Sequence, residues 1–119
     1  MKDFRKLQVW QKAHQLAIEL YRATAAFPRE ELYGLTSQIR RCCASIPANI
    51  AEGCGRNTDG ELARFLEISM GSASELEHHS LLSNEIGFLE SAAHEHLERK
   101  VIEAKQMLAS LIGKVRTTR

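Results

Sequence analysis

Apolar positions recur every three or four residues along nearly all of the 119-residue chain, the period of amphipathic helices. Val9, Ala13, Leu16, Leu20, Ala23 and Phe27 share one face of a first helix, predicted from about residue 4 to 26. Leu7, Trp10, Ala17 and Tyr21 form a second apolar stripe beside it. Phe27-Pro28 stops this helix, because proline disfavours a helical residue before it. Glu30 and Glu31 then sit where a new helix N-terminus welcomes negative charge. In the second helix, predicted from about residue 31 to 53, Leu35, Ile39, Cys42 or Cys43, Ile46, Ile50 and Cys54 hold a single face across Pro47. One kinked helix is therefore expected rather than two short ones, since an interior proline costs ~3 kcal/mol unless the helix bends. Gly53 and Gly55 supply its stop.

Thr58-Asp-Gly-Glu61 reads as a capping box opening a third helix, which continues to about Ile86 before Gly87. Ser91 is the expected N-cap of a fourth, whose Leu97, Val101, Ala104, Leu108, Leu111 and Val115 keep a heptad seam. Four such helices with short connections predict an all-α fold. They form one domain over residues 1–119, an antiparallel up-down-up-down four-helix bundle.

Composition agrees, with only two prolines and seven glycines, 44% hydrophobic and 26% charged residues. No apolar run approaches the ~20 residues that span a bilayer, so no membrane role is expected. The charged start (Met1-Lys-Asp-Phe-Arg-Lys) is unlike a signal peptide. Three cysteines, an odd number, point to a reducing cytoplasm rather than a disulfide framework. Leu62, Phe65, Leu66, Ile68 and Met70 point to several sides of the third helix, and the first helix is two-sided. Apolar surface in excess of one stripe suggests a partner, most simply a second copy of the chain.

The net charge of +1 conceals a division by position. Residues 1–12 carry Lys2, Arg5, Lys6 and Lys12 against Asp3. Residues 61–98 carry eight glutamates against Arg64 alone. Residues 99–119 carry Arg99, Lys100, Lys105, Lys114, Arg116 and Arg119 against Glu103. In an up-down-up-down bundle, the start of the first helix, the turn between the second and third, and the end of the fourth share one end. Lys2, Arg5, Lys6, Arg56, Lys114, Arg116 and Arg119 are expected there, with Lys12 nearby, as a candidate nucleic-acid surface acting through counterion release. The opposite end receives Glu30, Glu31, Glu85 and Glu90 against Arg29. The alternative is that the basic residues only keep the protein soluble.

The most distinctive segment is Tyr33-Gly-Leu-Thr-Ser-Gln-Ile-Arg-Arg-Cys-Cys-Ala-Ser-Ile-Pro-Ala-Asn-Ile-Ala-Glu-Gly-Cys-Gly-Arg56. It resembles the signature of the 23S rRNA intervening-sequence proteins, a four-helix bundle family. Phe4-x-x-Leu7-x-Val9-Trp10-x-x-Ala13 and Phe27-Pro28 are similar to that family's opening, and Phe65-Leu66, Gly71-Ser72 and Glu75-Leu76-Glu77 to its third helix. The resemblance covers residues 4 to 77, while the fourth helix matches only in being amphipathic. Cys42 and Cys43 stand where small residues such as alanine are more typical.

The resemblance implies a cytoplasmic bacterial protein without catalytic activity, assembled as a homopentamer. It also implies kinship with accessory subunits of diversity-generating retroelements, which bind a reverse transcriptase and nucleic acid. Within the signature, Arg41, Ser45, Asn49, Glu52 and Arg56 recur at steps of four, four, three and four, making one polar stripe. Such a stripe is either a solvated face or a hydrogen-bonded network at a subunit or bundle interface. Serine and asparagine in mid-helix favour the network, because they suit an exposed helix poorly unless their side chains are used. Ala44, Ala48 and Ala51 lie on a flank that another helix can approach closely.

Chemistry of other kinds finds little footing. Glu75-x-x-His78 has the spacing of a di-iron ligand pair but lacks the second pair that such sites need. The cysteines have no CxxC spacing. There is no glycine-rich phosphate loop, no G-x-S-x-G elbow, and no arginine followed four to six residues later by histidine. No cofactor, metal or catalytic residue is expected. The leading expectation is a non-enzymatic homo-oligomer that binds RNA, DNA or a protein that handles them, such as a reverse transcriptase or RNA-processing protein. The alternative is a purely structural oligomer or adaptor.

Overall fold

Asp3 opens the chain's described region, residues 3–117 of a computed structural model, by capping a 3-10 turn at Phe4–Lys6. Its Oδ1 accepts from the Arg5 N–H at 3.1 Å. Leu7 is extended (φ −78°, ψ 125°), so the predicted first helix is split, and α1 runs Gln8–Thr24. The turn is tied back by Gln11 Nε2 donating to the Arg5 carbonyl (2.8 Å) and by an edge contact of Phe4 on Trp10. Val9, Ala13, Leu16 and Leu20 face the core.

After Phe27-Pro28 comes a second 3-10 turn, Arg29–Glu31, and α2 spans Leu35–Cys54. It starts later than predicted because Glu31 acts from outside the helix, its Oε1 accepting from the Leu35 N–H at 3.0 Å. This satisfies a donor with no intrahelical partner. The helix passes through Pro47 as one element, with Ile39, Cys43, Ile46 and Ile50 at most 1% exposed.

Thr58 caps α3 (Asp59–Glu85), accepting from the Glu61 N–H at 3.2 Å. Only half of the predicted capping box forms, since the Glu61 carboxylate turns to Arg64 (3.2 Å). Gly87 ends α3 with φ +87°, a left-handed conformation that side chains resist. Ser91 is the first residue of α4 (Ser91–Thr117), and its Oγ accepts from Asn84. The Phe27 and Phe88 rings, 5.7 Å apart, close this end of the core.

Each helix packs on its chain neighbours, and α1 also meets α4, completing an antiparallel four-helix square 47 Å long and 23 × 20 Å across. The inner face of α3 consists of Leu62, Ala63, Phe65, Leu66, Ser69, Ala73, Leu76, Ser80 and Ser83. Three of the five apolar residues assigned by sequence to oligomer contacts are thereby corrected to core. Leu62 (5% exposed), Phe65 (9%) and Leu66 (0%) point inward, while Ile68 is exposed and Met70 half-buried. Two of the three serines are accommodated by hydrogen bonds, Ser69 to the Ile46 carbonyl and Ser83 to the His79 carbonyl, each 2.8 Å, while Ser80 is buried without one. Among the described residues no helix is long and apolar enough to cross a membrane.

Candidate interaction surfaces

Packing one face of each helix inward leaves two apolar seams on opposite sides of the square. Between α1 and α2 runs a groove of about 510 Å³, with Trp10, Ile18 and Tyr21 on one wall and Ala44, Ala48 and Ala51 on the other. Trp10 stacks on His14 (centroids 4.6 Å apart). The alanines keep the α2 wall low, as their spacing suggests. On the far side, Met70, Ile102 and Ala109 line a shallower groove of about 330 Å³ between α3 and α4, and Ile68 is also exposed.

The described part of the basic end can be located. Lys114 borders one groove with Leu7 and Gln8, placing the end of α4 beside the start of α1. The Phe4–Lys6 turn packs on α2. Most of the charge, however, is already matched. Arg5 faces Asp3 (3.6 Å), Lys12 faces Glu103 (3.6 Å), Arg56 faces Glu52 (2.9 Å) and Arg116 faces Glu67 (2.6 Å). Among the described residues of this set, Lys6 and Lys114 have no acidic partner. Lys2 and Arg119 lie outside the described residues. Exposed pairs of this kind are worth about 0–1 kcal/mol each, so a phosphate can displace the acid. Arg56 also lies 4.8 Å from the Phe65 ring centroid.

The polar stripe of α2 separates into three parts. Ser45 meets Ser72 of α3 (Oγ to Oγ 2.8 Å), and Asn49 Nδ2 donates to both the Ser45 carbonyl and its Oγ at 2.8 Å. This trio ties α2 to α3 within one chain. Arg41 is exposed and donates only to Gln38 (3.2 Å), and Glu52 is exposed with Arg56 as its partner. Arg41 and Glu52 thus stand apart from the trio because they project from the outer edge of the helix.

The metal-like spacing Glu75-x-x-His78 is not used as a pair, since Glu75 meets His79 instead (3.2 Å). Among the described residues no group of three or more His, Cys, Asp or Glu could hold a metal ion. Cys42, Cys43 and Cys54 are free and buried. Burial pushes the Cys42 thiol up to about 12, helped by Glu75 and by Cys43, and the Cys43 thiol up to about 11. Both remain neutral, poor nucleophiles in the folded state.

Because these two values are raised above the ordinary 9.0, the unfolded chain loses its thiol protons first. Their contribution to stability is intact below pH 9 and is lost as pH rises from 9 toward 11. Together they lower unfolding free energy by roughly 2 kcal/mol between pH 8 and pH 10. Urea melts of the wild type and of a Cys42→Ser, Cys43→Ser double variant at the two pH values measure the difference.

Sequence reasoning passed over Arg40. It reaches across from α2 to α1, where Nε donates to Thr24 Oγ1 (2.9 Å) and Nη2 to the Tyr21 carbonyl (3.2 Å). Nothing in the local pattern marks it, because the partners are 16 and 19 residues away.

The fold is an antiparallel four-helix bundle with an apolar groove on each of two opposite sides. The chain belongs to the 23S rRNA-intervening sequence protein family, whose model matches residues 5–110. Among solved structures, it is similar to a protein of unknown function from the S23 ribosomal protein family of Bacteroides thetaiotaomicron. The TM-score is 0.79, with 22% identity over 87% of this chain and 97% of that one. At that identity the likeness shows the fold. No curated protein matches the chain.

Proposed function

We propose that the protein is a non-catalytic homo-oligomer, a closed ring of five copies, that binds nucleic acid or a protein that handles it. The observation that carries this reading is the pair of opposed apolar seams. A lone bundle has no use for half-buried Trp10 and exposed Tyr21, Ile68 and Ile102 surfaces, whereas a copy seated seam to seam covers both. The two seams differ in composition, so the contact is head-to-tail, a geometry that closes into a ring when the rotation permits. The number five comes from the family resemblance. Three free, buried cysteines suit a reducing cytoplasm.

A ring of parallel copies repeats Lys6 and Lys114 around one rim, with Arg5, Lys12, Arg56 and Arg116 in displaceable pairs beside them. Wild-type protein is expected to bind an RNA oligonucleotide at low salt, with affinity falling steeply as salt rises. A Lys6→Glu, Lys114→Glu double variant is expected to bind more weakly and to flatten the salt slope by about 1.5 to 2 per chain engaged, because two phosphate contacts disappear. Equal slopes for the two proteins, or no binding by the wild type at low salt, would reject the nucleic-acid half of the reading. A purely structural oligomer or adaptor would then remain. The observation in its favour is that four of the six described cations at this end already face a carboxylate.

A further inference from the structure

Arg40 is held in place without an acid. Its guanidinium is fixed by Thr24 Oγ1 and the Tyr21 carbonyl and lies 5.0 Å from the Tyr21 ring centroid. Thr24 in turn donates to the Leu20 carbonyl (2.7 Å), which leaves its lone pair for Arg40. Among the described residues no carboxylate lies within ion-pair distance of Arg40 or of Arg29. Both arginines border one groove of about 470 Å³ where α1 ends and α2 begins, with Phe27, Leu32 and Thr36 in its wall. Thr36 is 3% exposed. Glu31, the acid nearest Leu32 in the chain, is engaged at the Leu35 N–H.

A guanidinium carries five donors, and Arg40 spends two of its nitrogens on the protein. The rest, with the Arg29 guanidinium lining the same groove beside Thr36, form a donor set that no carboxylate among the described residues neutralises. We propose that this groove is a phosphate site, taking inorganic phosphate or the phosphate monoester of a nucleotide. Two guanidinium groups suit a doubly charged tetrahedral oxyanion better than a singly charged planar carboxylate. The site is separate from the basic rim proposed for nucleic acid and lies at the opposite end of the bundle. Glu30, Glu85 and Glu90 at this end disfavour a long polyanion and leave room for a small one.

The test is a titration of ¹⁵N-labelled full-length protein with sodium phosphate, adenosine monophosphate or sodium chloride at matched ionic strength, followed by NMR. Saturable shifts at the Thr36 amide and the Arg40 Nε–H are expected with both phosphates and not with chloride. Tighter binding of the nucleotide identifies a nucleotide as the ligand, and equal binding identifies the free anion. Arg40→Gln and Arg29→Gln are each expected to weaken binding at least tenfold. Arg29 is exposed, so its variant keeps the fold even if loss of Arg40 does not. Shifts that never saturate, that chloride reproduces, that persist in the Arg29→Gln protein, or that centre on Lys6 and Lys114 would overturn the proposal.

Discussion

Leu66→Glu is expected to leave the chain unfolded at room temperature. Leu66 is fully buried in the α3 face that meets the core. Losing its packing alone costs on the order of 2–5 kcal/mol, and an unpaired carboxylate in its place adds several more. A domain of this size has about 5–15 kcal/mol in total. Circular dichroism should show loss of most helical signal. Ile68→Glu, two residues away and 41% exposed, should retain the helical signal and a cooperative melt. If the two variants behaved alike, the inward orientation of this part of α3 would be wrong.

The second large effect is expected at the close of α2, where Gly53 lets two helices touch. A Cβ built there would lie 3.0 Å from Leu62 Cδ1, 3.0 Å from Phe65 Cβ and 3.3 Å from the Leu62 carbonyl oxygen. The last two atoms belong to the α3 frame, so rotamer changes cannot move them aside. Gly53→Val must push α2 from α3 and is expected to destabilise by about 3 kcal/mol. At this chain length that lowers the melting temperature by on the order of 10 °C. Gly71, inside α3, has nothing within 4 Å of a built Cβ. Gly71→Ala is therefore expected to move stability the other way, by about 0.5–1 kcal/mol, through helix propensity. Thermal melts of the two variants should shift in opposite directions.

Three of the four helices can be read from apolar period because most of their inner positions are Leu, Ile, Val, Ala and Cys. In α3 the inner face includes Ser69, Ser80 and Ser83, and serines count as polar in any periodicity. The true stripe of Leu62, Leu66, Ser69, Ala73 and Leu76 is thus broken in the sequence, and Leu62 and Leu66 read there as partner contacts. Ser69 is buried against a carbonyl that only the folded neighbour α2 supplies, that of Ile46. The seam between α1 and α2 was visible as the Trp10, Ala17, Tyr21 stripe beside the small residues Ala44, Ala48 and Ala51. The expectation of a basic end rests on topology alone. Its neutralisation is not legible in the sequence, because Lys12 with Glu103 and Arg116 with Glu67 pair across 91 and 49 residues. Arg40 and Thr24 were hidden for the same reason.

That the bundle's opposed seams are covered by further copies of the same chain is tested most directly by the mass of the purified protein in solution. Static light scattering at micromolar concentration should return about five times the 13.4 kDa chain mass. A concentration-independent mass of one chain would contradict it.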